Sequence, residues 1–331
     1  MEGMLFDIMM EQQPEAGIVT ITLNPAIDET VFLDHLEVGA VNRASRHHRQ
    51  AGGKGVNVSF MLADYGLAST ATGFLGSGNT RIFEDGFRES GIRDDFLRIA
   101  GETRTGIKIV EESTRETTDI NFPGARPSAH DFGRLLEKVE LLATPGCWFV
   151  VAGSLPDGIS VADFSRLLRS IREGGARIAV DTSGDALQAA VDGGVDLIKP
   201  NHHELEEILG RPLPDAAART AAAIRLQREK VPHVVLSMGA EGALFASPDG
   251  VLMAQAPPVK VVSTVGAGDS LLAGYLAGCV TGLPAAGRAK LASVFAWCAL
   301  EDVRRRLVSR SKIEARMRQI AIRDGATHLS R

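Results

Sequence analysis

The sequence predicts an α/β fold: a central, mostly parallel β-sheet flanked by helices on both faces, with a small second sheet beside it. Three observations predict it. From Pro127 onward, short apolar runs alternate regularly with stretches of helical spacing, the pattern of repeated βα units. Those runs are apolar at nearly every position rather than every second one, as strands buried on both faces require. Residues 104–122 instead form two arms around a polar turn at 113–116, a hairpin with one polar face outside the main core.

Taken in order, 17–23 (GIVTITL) is a β-branched run closed by Asn24-Pro25 and reads as a first strand. Residues 56–65 have helical spacing and stop at Gly66, a residue suited to the left-handed turn after a helix. A strand follows over 69–75, then a helix over 81–90 closed by Gly91. After the hairpin, a helix over 128–142 leads to a strand at 148–152, and one over 161–173 to a strand at 177–181. A helix over 186–192 leads to 197–199, and one over 216–229 to 233–237. Residues 242–246 and 250–254 read as a hairpin at the sheet edge. Helices over 269–281, 291–303 and 312–322 complete the chain.

With 331 residues, 44% of them apolar, the chain can bury a sizeable core. Its net charge of −5 argues against a nucleic-acid partner, so an anionic ligand must be held by local basic residues. Cys147, Cys279 and Cys298 are odd in number and show no C-x-x-C spacing, which points to reduced thiols and a cytoplasmic protein. No run approaches the about 18 apolar residues of a membrane span, so no membrane partner is expected. Residues 1–16 carry Glu2, Asp7 and Glu11 but no basic residue, unlike a signal peptide, and read as a flexible extension. The remainder, 17–331, reads as a single domain.

Ligands of open α/β sheets collect at the carboxyl ends of strands. The polar residues expected there are Asp28, Gly153-Ser154, Asp181, Asn201, Ser237-Met238-Gly239 and the loop 264–269. Gly266-Ala267-Gly268-Asp269 precedes an apolar helix, so its small residues leave backbone N–H groups free to form an anion hole for a transferring phosphoryl group. A carboxylate there suits proton acceptance from an attacking hydroxyl better than phosphate binding. Alone, the tetrapeptide fits a plain Asp helix cap equally well. Its context decides for catalysis.

That context begins with Ala51-Gly52-Gly53-Lys54-Gly55-Val56-Asn57, where glycines permit close backbone approach and Lys54 and Asn57 supply a charge and an amide. It is not a Walker A loop, because no Ser or Thr follows the lysine, and no G-x-G-x-x-G is present. Upstream, Arg43, Arg46, His47, His48 and Arg49 read as a solvated basic turn. Asn201 and Glu204 are spaced for the first turn of one helix, where they suit either a capping box or Mg²⁺ held through water. His203-Glu204 lacks the second histidine of a metalloprotease, position 207 being glutamate. Ser237 to Gly242 ends a strand in a glycine turn suited to nucleotide phosphates.

Together these segments resemble the ribokinase-like PfkB family of sugar kinases. The match rests on AGGKGVNVS (51–59) and STVGAGDSLLAG (263–274), with VAGSLPDG, VDTSG, IKPNHHELE and LSMGAEGAL between them in the family's order, and covers 17–290. ITLNPAIDETVFL (21–33), GGKGVN, TRTGIKIVE (103–111) and TDINFPG (118–124) look most like the branch that phosphorylates fructose 1-phosphate at its 6-hydroxyl. Tagatose-6-phosphate kinases come next, and fructose-6-phosphate kinases often carry glycine where Lys54 stands. The resemblance implies a ribokinase-like fold with ATP as co-substrate, Mg²⁺ as cofactor and a homodimer paired through the small sheet. That sheet, built from about 28–50 and 103–123, would be a lid over the site.

Residue by residue, the resemblance implies that Asp28, Asn57, Gly52 and Gly53 hold sugar hydroxyls, that Ser154 lines the pocket, and that Lys54 and Arg104 pair with the substrate's phosphate. Lys199, Asn201, Glu204, Ser237, Gly239, Ala240, Glu241 and Gly242 would serve ATP, with Asn201 and Glu204 positioning Mg²⁺ through water. Gly266, Ala267 and Gly268 would form the anion hole, Gly268 also facing ATP, and Asp269 the base. After Ala292 the likeness fades, and Glu301 to Leu307 reads as a solvated charged helix end. That divergence leaves open a non-catalytic sugar-phosphate sensor as the alternative of another class.

Overall fold

The structure, a computed structural model, describes residues 17–114, 116–304 and 306–325; the expected extension at 1–16 lies outside them. The first strands are β1 (Ile18–Thr22), β2 (Ala26–Leu33) and β3 (Arg46–Gly52), followed by helix α1 (Lys54–Tyr65), β4 (Thr70–Gly76) and α2 (Arg81–Ser90). Two short strands, β5 (Arg93–Asp94) and β6 (Leu97–Ile99), precede β7 (Arg104–Glu111) and β8 (Thr117–Asn121). Alternation then sets in: α3 (Ala129–Leu142), β9 (Trp148–Ala152), α4 (Val161–Glu173), β10 (Arg177–Asp181), α5 (Gly184–Asp192) and β11 (Leu197–Ile198). It continues through α6 (His202–Leu209), α7 (Ala216–Glu229), β12 (His233–Ser237), β13 (Ala243–Ser247) and β14 (Gly250–Gln255). The chain closes with α8 (Ala267–Val280), α9 (Ala285–Glu301), α10 (Arg310–Gln319) and β15 (Ala321–Asp324).

The main sheet runs in the order β15-β14-β13-β12-β11-β10-β9-β1-β4-β5, with β6 also on β4. Pairing is parallel from β12 through β5 and antiparallel among β12, β13, β14 and β15. Strands from β9 onward build away from β1 on one side, and β4 and β5 on the other. The order therefore reverses at β1, and a crevice opens at the carboxyl ends of β1 and β9 where ligands of such sheets bind.

Both faces are covered, as the unbroken apolar runs require. One core layer joins Phe132, Leu135, Phe164, Leu167 and Leu187 of α3, α4 and α5 to Ile21, Phe149 and Val180. The other joins Leu62 of α1, Leu272 and Leu276 of α8, and Val294 and Phe295 of α9 to Val150 and Val235. A third cluster, with Phe83 and Phe87 of α2 beside Ile27 and Ala51, fixes the foot of the small sheet against β4 and α1. That small sheet has the order β3-β2-β7-β8, its β2–β7 pair parallel and its outer pairs antiparallel.

Four expectations are corrected. The hairpin β13–β14 is not the sheet edge, because β15 pairs antiparallel with β14, and the helix expected over 312–322 stops at Gln319. Ile320 is buried at the turn into that strand, so packing and ladder pairing override the helical pattern there. The basic stretch before the glycine motif is largely strand rather than turn: β3 lies antiparallel to β2, with the Arg46 guanidinium stacked 3.8 Å over Phe32. Finally, the helix ends at Glu301, and of the described residues there Glu301, Val303 and Arg306 are tied to neighbouring elements while Arg304 and Arg306 stay exposed. Glu301 accepts from Trp297 (2.8 Å) and Arg316 (2.7 Å), Asp64 of α1 pairs with Arg306 (2.8 Å), and Val303 O accepts from Gln50 of β3.

Candidate active site

Helix α8 begins at Gly266, whose φ of 74° is left-handed and turns the chain sharply into the helix. The first-turn N–H groups that follow, those of Ala267, Gly268 and Asp269, have no acceptor within the helix and form a positive nest. Ala267 N reaches Thr264 O at 3.4 Å, a long contact. The Asp269 side chain is 7% exposed and accepts from Asn57 Nδ2 at 2.6 Å. Asn57 sits one turn into α1, so the two glycine motifs of the sequence meet across this single bond.

Asp181, at the carboxyl end of β10, is the hub of the charges around it. Lys54 Nζ lies 2.8 Å from its Oδ1 and Lys199 Nζ 3.3 Å from its Oδ2. Burial alone would raise the Asp181 carboxyl, but the ammonium groups of Lys199 and Lys54 outweigh it and hold the carboxyl below its ordinary value. Burial also works against the charge of Lys54. Asp181 and Asp269 outweigh it and raise the ammonium above its ordinary range. For Asp269 the balance goes the other way. Burial lifts its carboxyl, Asp181 adds to the rise, and Lys54, Asn57 and Lys199 oppose it. A carboxyl lifted in this way is a stronger base than an ordinary carboxylate when ionised.

Glycines bring these groups close to the backbone. Gly53, at φ 111°, turns the chain from β3 into α1, and a Cβ there would stand 2.9 Å from Thr22 Cγ2. A Cβ on Gly268 would stand 3.2 Å from Lys199 Nζ, which places that ammonium beside the helix N-terminus. The buried carboxylate of Asp181 holds Lys54, close enough to Asp269 for the two charges to interact.

Arg104 opens β7 and lines a cleft of about 480 Å³ with Asn24, Asn121, Ser154 and Asp157. Its Nη1 donates to Asn121 Oδ1 at 3.0 Å, while its buried Nε has no hydrogen-bond partner. Asn24 Nδ2 donates to Ser154 Oγ at 3.1 Å, joining the ends of β1 and β9 at the switch point. Asp28 of β2 is 7% exposed and ion-paired with Lys108 of β7 at 2.9 Å.

On the far side, Asn201 caps α6. Its side chain accepts from Glu204 N at 2.9 Å, and the Glu204 carboxylate accepts from Asn201 N at 2.8 Å. Both halves of the capping box are made, so the pair is rigid where it faces the crevice. Ser237 N donates to Pro200 O at 3.0 Å, which brings the Ser237–Gly242 turn beside Asn201. Gly239 and Gly242 are left-handed, and Glu241 meets Arg219 at 3.4 Å.

The residues singled out from the sequence thus fall into groups: Asn57 with Asp269 and Lys54 with Asp181, Arg104 and Ser154 along one cleft, and Asn201 and Glu204 beside the 237–242 turn. Asp181 was expected at a strand end but not as a charge hub, and Lys108, Asn24 and Asn121 were given no roles; Lys108 and Asn121 are brought in only by the register of the small sheet.

A preorganised anion hole, a buried carboxylate and two lysines at the switch point of an α/β sheet are the equipment of a phosphotransferase with an alcohol acceptor. The model of the pfkB family carbohydrate kinases matches residues 21–307. The 1-phosphofructokinase of Xanthomonas campestris pv. campestris is 44% identical over 294 residues, 87% of this chain and 92% of that one. The 1-phosphofructokinase of Vibrio cholerae is 38% identical, over 92% of this chain and 96% of its own. Among solved structures, phosphofructokinase-2 from Escherichia coli in complex with substrates and products superposes with a TM-score of 0.86 at 27% identity, covering 91% of this chain and 98% of its own. The chain belongs to the pfkB family of carbohydrate kinases, and it is a sugar-phosphate kinase. The family match runs through 307, beyond the 290 expected and across the stretch whose divergence had suggested a sensor.

Proposed function

We propose that this kinase transfers the γ-phosphoryl group of ATP to the 6-hydroxyl of fructose 1-phosphate, giving fructose 1,6-bisphosphate and ADP. The observation that carries the reading is the buried Asp269 carboxylate, fixed by Asn57 beside the open N–H groups of the α8 N-terminus. The 6-oxygen attacks the γ-phosphorus and gives its proton to Asp269 as the new O–P bond forms. The bond from phosphorus to the bridging oxygen of ADP breaks. The Gly266–Gly268 turn meets the charge of the transferring group, and Lys54 and Lys199, balanced by Asp181, add positive charge next to it.

Asp28, Asn57 and the Gly52-Gly53 backbone hold sugar hydroxyls in this reading. The Arg104 fork takes the phosphate the substrate already carries, in the cleft that Ser154 also lines. The unpartnered Arg104 Nε supports that role, since a buried donor without an acceptor costs about 1–3 kcal/mol until a ligand supplies one. Lys199, Asn201, Glu204 and the turn Ser237, Gly239, Ala240, Glu241 and Gly242 hold the nucleotide.

The all-oxygen donors Asn201 and Glu204 suit Mg²⁺ bound through water, and Mg²⁺ would neutralise phosphate charge there. Both side chains are already engaged in the capping box, which fits an outer-sphere role rather than direct ligation. The free thiols of Cys147, Cys279 and Cys298 support a cytoplasmic setting. The half-exposed Ile120 and Phe122 of the lid support a homodimer.

An ADP-release assay on fructose 1-phosphate, tagatose 6-phosphate and fructose 6-phosphate tests the substrate. The highest kcat/KM is expected for fructose 1-phosphate. A higher value for either of the others would replace it as the substrate.

A further inference from the structure

The inward face of the small sheet carries a cation that none of these roles uses. Strand register sets Gly106 of β7 opposite Asp28 of β2 and Asn121 of β8. Side chains alternate along a strand, so Arg104 and Lys108 point to the same face as Gly106. Gly106 is thus a bare floor with Asp28 and Asn121 on its flanks and Arg104 and Lys108 at its ends. Arg104 and Asn121 line the cleft, so this face belongs to it.

Lys108 Nζ lies 2.9 Å from Asp28 Oδ1, with the two side chains 13% and 9% exposed. A Cβ on Gly52 would stand 2.5 Å from Asp28 Oδ2, and one on Gly106 3.5 Å from Oδ1. The carboxylate therefore sits in a slot that glycine on both sides keeps open, with one oxygen pinned by an ammonium. Withdrawing two such charges from water offsets most of their mutual attraction, so the pair adds little net stability. Its effect on the carboxylate is larger. Removing the Lys108 ammonium would take a neutralising charge from a buried carboxylate on the face that must receive an anionic sugar phosphate, where low dielectric magnifies repulsion.

We propose that Lys108 is a positioning residue for the sugar. Its ammonium holds the Asp28 carboxylate in one rotamer beside the Gly106 floor and offsets its charge toward the incoming phosphate. Lys108 acts through Asp28 and does not touch the reacting atoms. The inference rests on the assignment of Asp28 to the sugar hydroxyls.

The test is steady-state kinetics with fructose 1-phosphate on Lys108→Met, Lys108→Arg, Asp28→Asn and the Asp28→Asn/Lys108→Met double variant. Lys108→Met should raise the KM for the sugar phosphate by about tenfold or more, as loss of a charged hydrogen bond does. Its kcat and its KM for ATP should stay nearly unchanged, and Lys108→Arg should recover most of the affinity. In the Asp28→Asn background the methionine substitution should add less than it does alone, because the two residues act as a unit. Lys108→Gln carries the same test if the methionine variant does not fold. A normal sugar KM in Lys108→Met while Asp28→Asn raises it would overturn the role of Lys108 alone. An unchanged KM in Asp28→Asn would overturn the sugar assignment beneath it. Additive effects, or equal losses in kcat and both KM values, would reduce Lys108 to a structural part.

Discussion

Asp269 and Asp181 lie in one buried cluster, yet their surroundings push their carboxyls in opposite directions, Asp269 up and Asp181 down. Asp269 must be ionised to accept a proton, so activity falls as pH drops through its raised pKa. The acidic limb of kcat/KM is therefore expected above the ordinary carboxylate range. Asp181→Asn removes a charge that lifts Asp269 and leaves Lys54 and Lys199 to act on it alone, so the limb should move to lower pH. A limb that stays in place or rises, read from the pH profile of the variant, would contradict this electrostatic account. At the cleft, Arg104→Lys keeps a charge but loses the bidentate fork. It should raise the KM for the sugar phosphate by an amount equivalent to about 1.5–3 kcal/mol while sparing ATP, as substrate-saturation curves would reveal. Much of this chemistry was legible in the sequence, because Asp269, Asn57 and the glycines that expose them occur in short contiguous motifs. The attachment of Lys54 to Asp181 was not, since it joins the start of α1 to the end of β10, 127 positions apart.

At the scale of elements, turns set the spacing of the nucleotide side. Gly242 has φ 96°, and a Cβ there would collide with the Ala254 carbonyl of β14. Gly242→Ala should cost about 1–3 kcal/mol and raise the KM for ATP, because the Ser237–Gly242 turn must move to relieve the clash. Urea melts together with ATP saturation curves check both effects. Most main-sheet strands and their helices were legible because burial on both faces leaves unbroken apolar runs flanked by glycine. The two- and three-residue β5 and β6 were too short for such a pattern, and β3 and β15 were not legible either. β3 carries Arg46, His47, His48 and Arg49, and its strand form comes from pairing with β2 rather than from its composition. β15 follows a helical pattern without punctuation and exists because β14 offers it a ladder.

Across the whole molecule, Val303 and Leu307 tie together parts that lie far apart in sequence. Gln50 of β3 donates to Val303 O and Asp64 of α1 accepts from Leu307 N, so the small sheet and the helix that carries Lys54 and Asn57 share one anchor. Asp64→Ala should lower the melting temperature and leave Arg306 unpaired, with calorimetric unfolding as the check; an unaltered transition would show that the anchor is dispensable. Pairing through the small sheet predicts that a double Ile120→Asp, Phe122→Asp variant shifts light-scattering mass toward the monomer. The proposed reaction turns on the transfer of one proton to Asp269. The direct measurement is kcat of Asp269→Asn with fructose 1-phosphate, taken beside ATP binding by calorimetry. The account predicts a fall of about 10²–10⁴-fold in kcat with ATP affinity retained. A variant that turns over near the wild-type rate would contradict it.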